Sequence, residues 1–232
     1  MKCNRSALVL LVGAALIPMT AAVLLLFEYE LVMHRMVVPV ILFAFLYSAL
    51  SVRLLGVGEH LTDMGTALPI TCTLPLWAVN LYIALWESSL LMLAAAGLCT
   101  VLSGVLLFKM VKVKWLKILS AVVSVVLILP FGFAAFMLLV FGQIGRNTVV
   151  STEYSPEGRY RAEVIDSNQG ALGGDTLVMV YDETSRMDFY FFALQKSPQR
   201  VYLGEWGEFA DMEINWESEH VLNIDGVSHE IK

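Results

Sequence analysis

The pattern of hydrophobic and polar residues along this chain changes once, near residue 145. Before that point apolar residues form long continuous stretches, and five of these reach the roughly 20 residues that a helix needs to cross a bilayer core. Because backbone amides in lipid must bond within their own segment, each stretch is predicted to be a helix. The predicted spans are residues 7–27, 36–56, 66–86, 88–108 and 116–142.

After residue 145 the apolar residues alternate with polar ones, as in RYRAEV (159–164) and DMEINWE (211–217). A period of two is typical of β-strands with one buried face. Predicted strands are 148–154, 159–166, 176–182, 187–195, 200–206, 211–217, 220–225 and 229–232, and SPEG at 155–158 is a predicted β-turn. We therefore expect a membrane α-helical bundle of about five helices at 1–145, followed by a small all-β antiparallel domain, a sandwich or half-open barrel, at 146–232.

Charge divides at the same place. The chain is 58% hydrophobic and only 16% charged. Residues 1–145 hold eight Lys/Arg and five Asp/Glu, whereas residues 146–232 hold seven Lys/Arg and sixteen Asp/Glu. The acidic second part would repel phosphates, so nucleic acid is not expected as a partner. The second part has no cysteine, so no disulfide is expected within it.

The positions of lysine and arginine predict the orientation in the membrane, because basic short loops remain in the cytoplasm. The N-terminal MKCNR and the KMVKVKWLK loop after the fourth span are basic, whereas the EYELVMHR loop after the first span has two glutamates. A cytoplasmic N-terminus with five crossings satisfies these loops. It predicts a multi-pass protein of the cell membrane with residues 146–232 outside the cytoplasm.

The first span has a second interpretation. MKCNR, an apolar run and MTAA at 19–22 have the layout of a signal peptide. The run continues through VLLLF after the small residues, which favours an uncleaved helix. Cleavage would leave four spans and the same location for the β domain.

Several landmarks of the second part occur in a familiar order: YSPEGRYRAEV, the glycine-rich NQGALGGDT, and VYLGEWGEFADMEINWESEHVLNIDG. Together they resemble an uncharacterised family of Gram-positive bacterial membrane-anchored proteins, classed as a domain of unknown function. The resemblance covers about residues 150–232 and leaves out the spans. It implies helical anchoring and a small extracytoplasmic β domain, and it implies no activity.

The helical part offers little chemistry. No charged residue lies at the centre of a span, and Arg53 is close enough to a span end to reach the interface. Asn80 is expected to make an interhelical hydrogen bond. Glu59, His60 and Asp63 lie in one short loop, but their spacing matches no metal motif, so a plain cytosolic loop is favoured over a metal site.

The β part shows no enzymatic constellation. His220 and His229 have no serine in a GxSxG context, and no cysteine is available as a nucleophile. We expect no enzyme, no metal and no cofactor. Asp166, Asn168 and Asp175 surround glycines, a composition that calcium loops also use, but a structural hairpin loop is favoured.

Aromatic and acidic residues supply the candidate binding site, because such groups can hold a cation. Its residues are Glu205, Trp206, Glu208, Asp211 and Glu213. Competing interpretations place Trp206 and Trp216 in the core and make the acidic face a device for solubility. For FYFF at 189–192, a strand buried on both faces is favoured over a patch that faces the bilayer.

These observations predict a multi-pass bacterial membrane protein whose extracytoplasmic β domain binds or senses a ligand, or which serves as a subunit of a membrane complex. The alternative is an accessory or immunity protein of a transporter or toxin system that binds a cationic peptide. The expected partners are the lipid bilayer and either another membrane protein or such a peptide.

Overall fold

A computed structural model describes residues 2–33, 35–58, 60–86, 89–141, 146–168 and 173–231. The chain divides into two compact units. The helical unit comprises Met1–Val23 and Arg35–Phe136, and the β unit comprises Leu24–His34 and Met137–Lys232. A segment between the first two predicted spans therefore belongs to the β unit.

Five long apolar helices are present in the described part of the chain, as the sequence predicts. They are α1 (Lys2–Leu26), α2 (Val37–Val57), α3 (Met64–Trp86), α4 (Leu90–Met110) and α5 (Lys114–Phe141). Their most apolar windows have mean hydropathies from 1.6 to 2.6, and each is long enough to cross a membrane. The chain thus has the helices of a multi-pass membrane protein.

A proline in α1 makes an acceptor available for a hydrogen bond between α1 and α3. Pro18 has no backbone N–H, so the carbonyl of Ala14, four residues earlier, loses its helical donor. Asn80 Nδ2 of α3 donates to that carbonyl at 2.8 Å and to Leu76 O at 2.9 Å. The predicted interhelical role of Asn80 is confirmed, and Pro18 explains why an acceptor is available.

The same arrangement connects α3 with α5. Pro75 removes the helical donor of the Thr71 carbonyl, and Ser120 Oγ of α5 donates to this carbonyl at 2.6 Å. In the other direction, the Tyr82 hydroxyl of α3 donates to Leu127 O, in the turn that precedes the proline of α5. In an apolar solvent such bonds between helices supply attraction that hydrophobic burial cannot.

The α2 and α4 helices are connected by a hydrogen bond between hydroxyls. Tyr47 Oη and Ser103 Oγ lie 2.6 Å apart, and both residues are buried. The Tyr47 ring also meets the Trp77 ring edge to face, with centroids 5.2 Å apart. Tyr47, Ser103 and Trp77 thus form a buried cluster of hydroxyl and aromatic groups, none of which is charged.

Two connections of the helical unit pair with each other. Leu61, between α2 and α3, donates its N–H to Met110 O at 2.8 Å and accepts from Lys112 N at 2.9 Å. The result is a parallel bridge between Leu61 and Val111. Residues that bond in this way must lie on the same side of any membrane that the helices cross.

Within its described residues, the β unit forms three antiparallel sheets. Its strands are β1 (Tyr29–Met33), β2 (Arg146–Tyr154), β3 (Tyr160–Asn168), β4 (Gly174–Asp182), β5 (Met187–Asp188), β6 (Phe192–Lys196), β7 (Gln199–Glu205), β8 (Ile214–Ser218), β9 (Val221–Ile224) and β10 (Val227–Glu230). The sheet orders are β2-β3-β4-β7, β8-β9-β10 and β1-β6-β5. The predicted small all-β antiparallel domain is confirmed.

The core of the β unit lies between the first two sheets. Tyr160, Ala162 and Val164 of β3 point inward with Leu222 and Ile224 of β9, and all five are buried. Trp216 is only half-buried, but its ring stacks on Tyr160 with centroids 6.1 Å apart. The inward face of β3 is the one that its alternating sequence predicts.

The third sheet joins distant parts of the sequence. The segment after α1, treated as a loop in the sequence analysis, forms β1 and pairs with β6 in antiparallel register, from Tyr29 opposite Lys196 to Met33 opposite Phe192. Ser197 N also donates to Glu28 O at 2.7 Å. The β unit is therefore completed by a strand that lies more than 150 residues earlier in the chain.

The predicted strand at 187–195 is wrong. The chain forms β5, turns, and returns as β6, with Met187 opposite Leu194. Phe189, Tyr190 and Phe191 lie in this turn and are exposed. A buried central strand needs neighbours on both faces, whereas here Phe189, Tyr190 and Phe191 connect two strands of the third sheet and remain exposed.

The Pro18 contact can be tested with a double-mutant cycle. Asn80→Leu should lower the free energy of unfolding by about 1 kcal/mol, as is usual for interhelical hydrogen bonds in membrane proteins. In a Pro18→Ala background the Ala14 carbonyl regains its helical donor, so the same substitution should cost much less. Unfolding in mixed micelles measures the change in free energy that Asn80→Leu causes in each background. Thr100, which bonds within its own helix at 2.7 Å, supplies the control: Thr100→Val should cost the same in both backgrounds.

The pairing of β1 with β6 can be tested by cross-linking. Because Glu28 and Ser197 form a hydrogen-bonded pair, alternation makes Leu31 and Leu194 a non-hydrogen-bonded pair, with Cα atoms about 4.5 Å apart. That distance suits a disulfide. In a chain without its native cysteines, Leu31→Cys with Leu194→Cys should oxidise readily and hold together the two fragments produced by cleavage between α4 and α5.

The control for this experiment is Leu31→Cys with Gln195→Cys, whose side chains lie on opposite faces of the sheet. Cross-linking as efficient in this control as in the test pair would contradict the register, and no cross-link in the test pair would contradict the pairing.

Candidate binding surface of the β unit

Trp206 lies where β7 ends. Its side chain is 55% exposed, so the interpretation that placed it in the core is wrong. The ring lies against Gly174, where a Cβ would come within 2.6 Å of Trp206 Cδ1. Nε1 donates to Asp166 Oδ1 at 3.1 Å. Trp206 is therefore an exposed ring whose position is fixed by a glycine on one side and a carboxylate at its edge.

The turn that follows explains why Trp206 leaves the sheet. Gly207 has a φ of +97°, a conformation that L side chains rarely adopt, and a short 3-10 helix follows at Glu208–Ala210. Phe209 N donates to Thr176 Oγ1 at 3.2 Å, and Thr176 Oγ1 donates to Glu205 O at 2.8 Å. Buried Thr176 thus ties both sides of the turn to β4.

Three of the five predicted site residues lie together in this turn: Glu205, Trp206 and Glu208. Glu205 is exposed and lies opposite Asp175 in the sheet register. Glu208 Oε2 accepts from the Tyr202 hydroxyl at 2.8 Å. This bond requires a glycine at 204, because a Cβ there would lie 1.8 Å from Glu208 Oε2.

The other two predicted residues have separate surroundings. Asp211 ends the 3-10 helix, with its N–H donating to Glu208 O at 3.3 Å. The backbone of Glu213 makes two hydrogen bonds with Asp225: Glu213 N donates to the side-chain Oδ1 of Asp225 at 2.8 Å, and Asp225 N donates to Glu213 O at 3.0 Å. Both side chains are exposed. The predicted strand 211–217 accordingly begins only at Ile214.

Tyr202 was missed by the sequence analysis. Its hydrogen bond to Glu208 raises the pKa of the Tyr202 phenol above its ordinary value, because the carboxylate favours the protonated hydroxyl. The sequence contained only a weak indication that Tyr202 belongs to this surface. In a strand, residues 202 and 204 share a face, so a tyrosine and a glycine there leave room for an acid from the next turn.

The glycine-rich loop has a structural role at its two ends. Asp166 anchors the Trp206 indole, and β3 and β4 pair up to Asn168 opposite Gly174. The tip at 169–172 lies outside the described residues. Among the residues that the structure describes, no group of three or more His, Cys, Asp or Glu side chains is arranged to hold a metal ion.

The loop between α2 and α3 also has a structural explanation. Asp63 Oδ2 accepts from Gly65 N at 3.0 Å and Thr66 N at 3.3 Å, which satisfies amides at the start of α3. Glu59, one of the residues weighed as a metal ligand, lies outside the described residues. Asp63 is therefore a helix cap.

A pocket of about 230 Å³ lies among α1, α2, α3 and α4. Its described lining is almost entirely apolar and includes Phe43, Trp77, Met92 and Cys99. The strongly polar member, Asn80, already donates to two carbonyls. The described residues of the lining include no charged side chain.

Glu219 organises the SPEG turn, a role that the sequence did not reveal. Its carboxylate accepts from Ser155 Oγ at 2.6 Å, Glu157 N at 2.8 Å and Arg159 N at 3.2 Å. Desolvation raises its pKa, but these three hydrogen bonds together outweigh it, so the pKa of Glu219 is lowered. The bonds close the turn that leads into the core strand β3.

Acid should therefore weaken the β unit through Glu219. Because its pKa is lower in the folded state, its contribution is present above the ordinary value of 4.5 and is lost as the pH falls through the folded value. Glu219→Gln should lower the melting temperature at neutral pH and reduce its fall in acid. Near-ultraviolet circular dichroism, which senses the Tyr160–Trp216 stack, measures the melting temperature at each pH.

The control is Glu230→Gln, which removes an exposed carboxylate from β10. An acid-induced fall in melting temperature that is the same in Glu219→Gln as in the wild-type protein would contradict the role given to the Glu219 carboxylate.

The arrangement of Glu205, Trp206 and Glu208 offers carboxylates and an exposed aromatic face, which suit a cation. The resemblance to a Gram-positive membrane-anchored family stays a prediction that rests on sequence landmarks. No family model, no curated protein and no solved structure matches this chain.

Proposed function

We propose that this chain is a multi-pass membrane protein that presents its acidic β unit outside the cytoplasm as a binding module for a cationic ligand, such as a basic peptide or a Lys/Arg-rich surface of another membrane protein. The observation that carries the proposal is the exposed Trp206 ring, held by Gly174 and Asp166 in a turn that also carries the exposed residues Glu205 and Glu208. An exposed tryptophan whose position is fixed is suited to a partner.

Pairing between connections supports an alternating path through the membrane. β1 follows the first helix and β6 follows the fifth, and their antiparallel pairing requires both to lie on one side. Leu61 and Val111, which follow the second and fourth helices, also pair. Five crossings satisfy both conditions.

The choice of side comes from charge. The connection between α4 and α5 and the start of α5 carry Lys112, Lys114 and Lys117, with Lys109 just before them. Basic short loops stay in the cytoplasm. This supports an extracytoplasmic β unit, because an odd number of crossings separates that connection from the chain after α5.

The chemistry of the surface favours a cation. Carboxylates at Glu205 and Glu208 attract positive charge, and the tryptophan face adds a cation–π interaction of about 0.5–2 kcal/mol. The negative charge of residues 146–232 would steer a basic partner towards the unit. Anionic lipids and polymers would be repelled from it.

Binding can be tested with the full-length protein in nanodiscs and a fluorescent deca-lysine peptide. We expect binding at low salt that weakens as salt is added, since the screening length is about 10 Å at 0.1 M. Trp206→Ala should weaken it roughly tenfold, within the range of a cation–π contact. Glu205→Gln with Glu208→Gln should also weaken it.

The matched control removes the same charge from other exposed positions, with Glu157→Gln and Glu230→Gln. An equal loss in the control would mean that net charge alone attracts the peptide. No binding at low salt, or no loss with Trp206→Ala, would leave the surface without the proposed site.

A further inference from the structure

The turn between β5 and β6 consists of aromatic residues. Phe189 N donates to Phe192 O at 2.8 Å, which closes a four-residue turn with Tyr190 and Phe191 at its centre. Phe189, Tyr190 and Phe191 are 49%, 69% and 39% exposed. We call these three residues the aromatic turn.

Local geometry does not explain this composition. Short turns are usually built from Gly, Pro, Asn, Asp or Ser, which suit their backbone conformations and stay hydrated. The rings do contact each other, with centroids 4.8 Å apart for Tyr190 and Phe191 and 4.7 Å apart for Phe189 and Phe192. Large areas of ring nevertheless remain uncovered within the β unit, which points to an apolar partner outside it.

The third sheet is tethered to two candidate membrane helices. Two residues separate Leu26, the end of α1, from Tyr29, and three residues separate Met33 from Val37, the start of α2. At about 3.6 Å per residue, the longer linker spans at most about 14 Å. Where α1 and α2 cross the membrane as proposed above, each end of β1 lies within this distance of a helix end.

The aromatic turn lies at one tethered end of the sheet. In the antiparallel register Phe192 pairs with Met33, so the turn extends from β6 at the end of β1 that continues into α2. This is the end that the three-residue linker connects to α2.

We propose that the aromatic turn inserts into the interfacial layer of the lipid bilayer and anchors the third sheet there. The proposal rests on the membrane crossings of the proposed function. Aromatic rings favour this layer, where their faces contact lipid while a tyrosine hydroxyl stays hydrated.

The flanking charges agree with an interfacial position. Arg186 holds Asp188 with two nitrogens, Nε at 3.1 Å from both carboxylate oxygens and Nη2 at 3.0 Å from Oδ1. This ion pair neutralises the residues that precede the turn. Insertion therefore depends on apolar contact and has no requirement for an anionic headgroup.

The test places a nitroxide spin label at Tyr190→Cys in full-length protein that lacks its native cysteines. The protein is reconstituted in phosphatidylcholine nanodiscs, and collisions of the label with oxygen and with a water-soluble nickel chelate are measured. Oxygen concentrates in lipid and the chelate in water, so the oxygen-to-nickel ratio at 190 should be severalfold higher than at a control site.

Two reference sites make the result decisive. Glu157→Cys places the label in the exposed SPEG turn and should report water. Phe45→Cys places it on the exposed face of α2, within a candidate span, and should report lipid. A lipid signal at Phe45 tests the membrane crossing independently of the aromatic turn.

A water-like signal at 190 beside a lipid signal at 45 would overturn the insertion and leave the proposed crossings intact. Water at both positions would overturn the crossings themselves. Low accessibility of the 190 label to both reagents would also overturn insertion, because it would show that a second copy or another protein covers the turn. An oxygen-to-nickel ratio at 157 equal to that at 190 would also overturn the proposal, because the aromatic turn would then be no closer to lipid than the SPEG turn.

Discussion

The helical unit depends on carbonyl groups that prolines leave without a helical donor. Lipid tails are as apolar as leucine side chains, so burial of apolar surface gives helices in a bilayer little reason to associate. A carbonyl without its helical N–H changes this, because it must find a donor on another helix. Asn80 meets that need at Ala14 and Ser120 meets it at Thr71. Both bonds involve α3, which therefore holds α1 and α5.

The β unit depends on strand pairing and on a core of its own. Its first two sheets pack around that core, and its third sheet includes a strand from the start of the chain. β6 pairs with β1 on one side and β5 on the other. The β unit therefore includes the first connection between helices.

The acidic surface around Trp206 combines residues with different tasks. Asp166 and Gly174 position the indole, whereas Glu205 remains exposed. Glu208 is partly committed to the Tyr202 hydroxyl, which also holds its carboxylate in place. Elsewhere Glu219 is wholly engaged with the SPEG turn. Negative charge on this unit thus serves folding at some positions and is available for binding at others.

The sequence by itself determined the five helices and the inward face of β3. Continuous apolar runs and a period of two are local patterns, and each indicates which side chains leave water. It also predicted that Asn80 bonds between helices. It did not determine β1 or the exposure of Trp206, since strand pairing across five helices and the packing of a ring on Gly174 are long-range contacts. The prediction of a buried strand at FYFF was wrong for the same reason. A short apolar run is compatible with a buried strand or with an exposed turn, and only the tertiary structure decides which neighbours cover it.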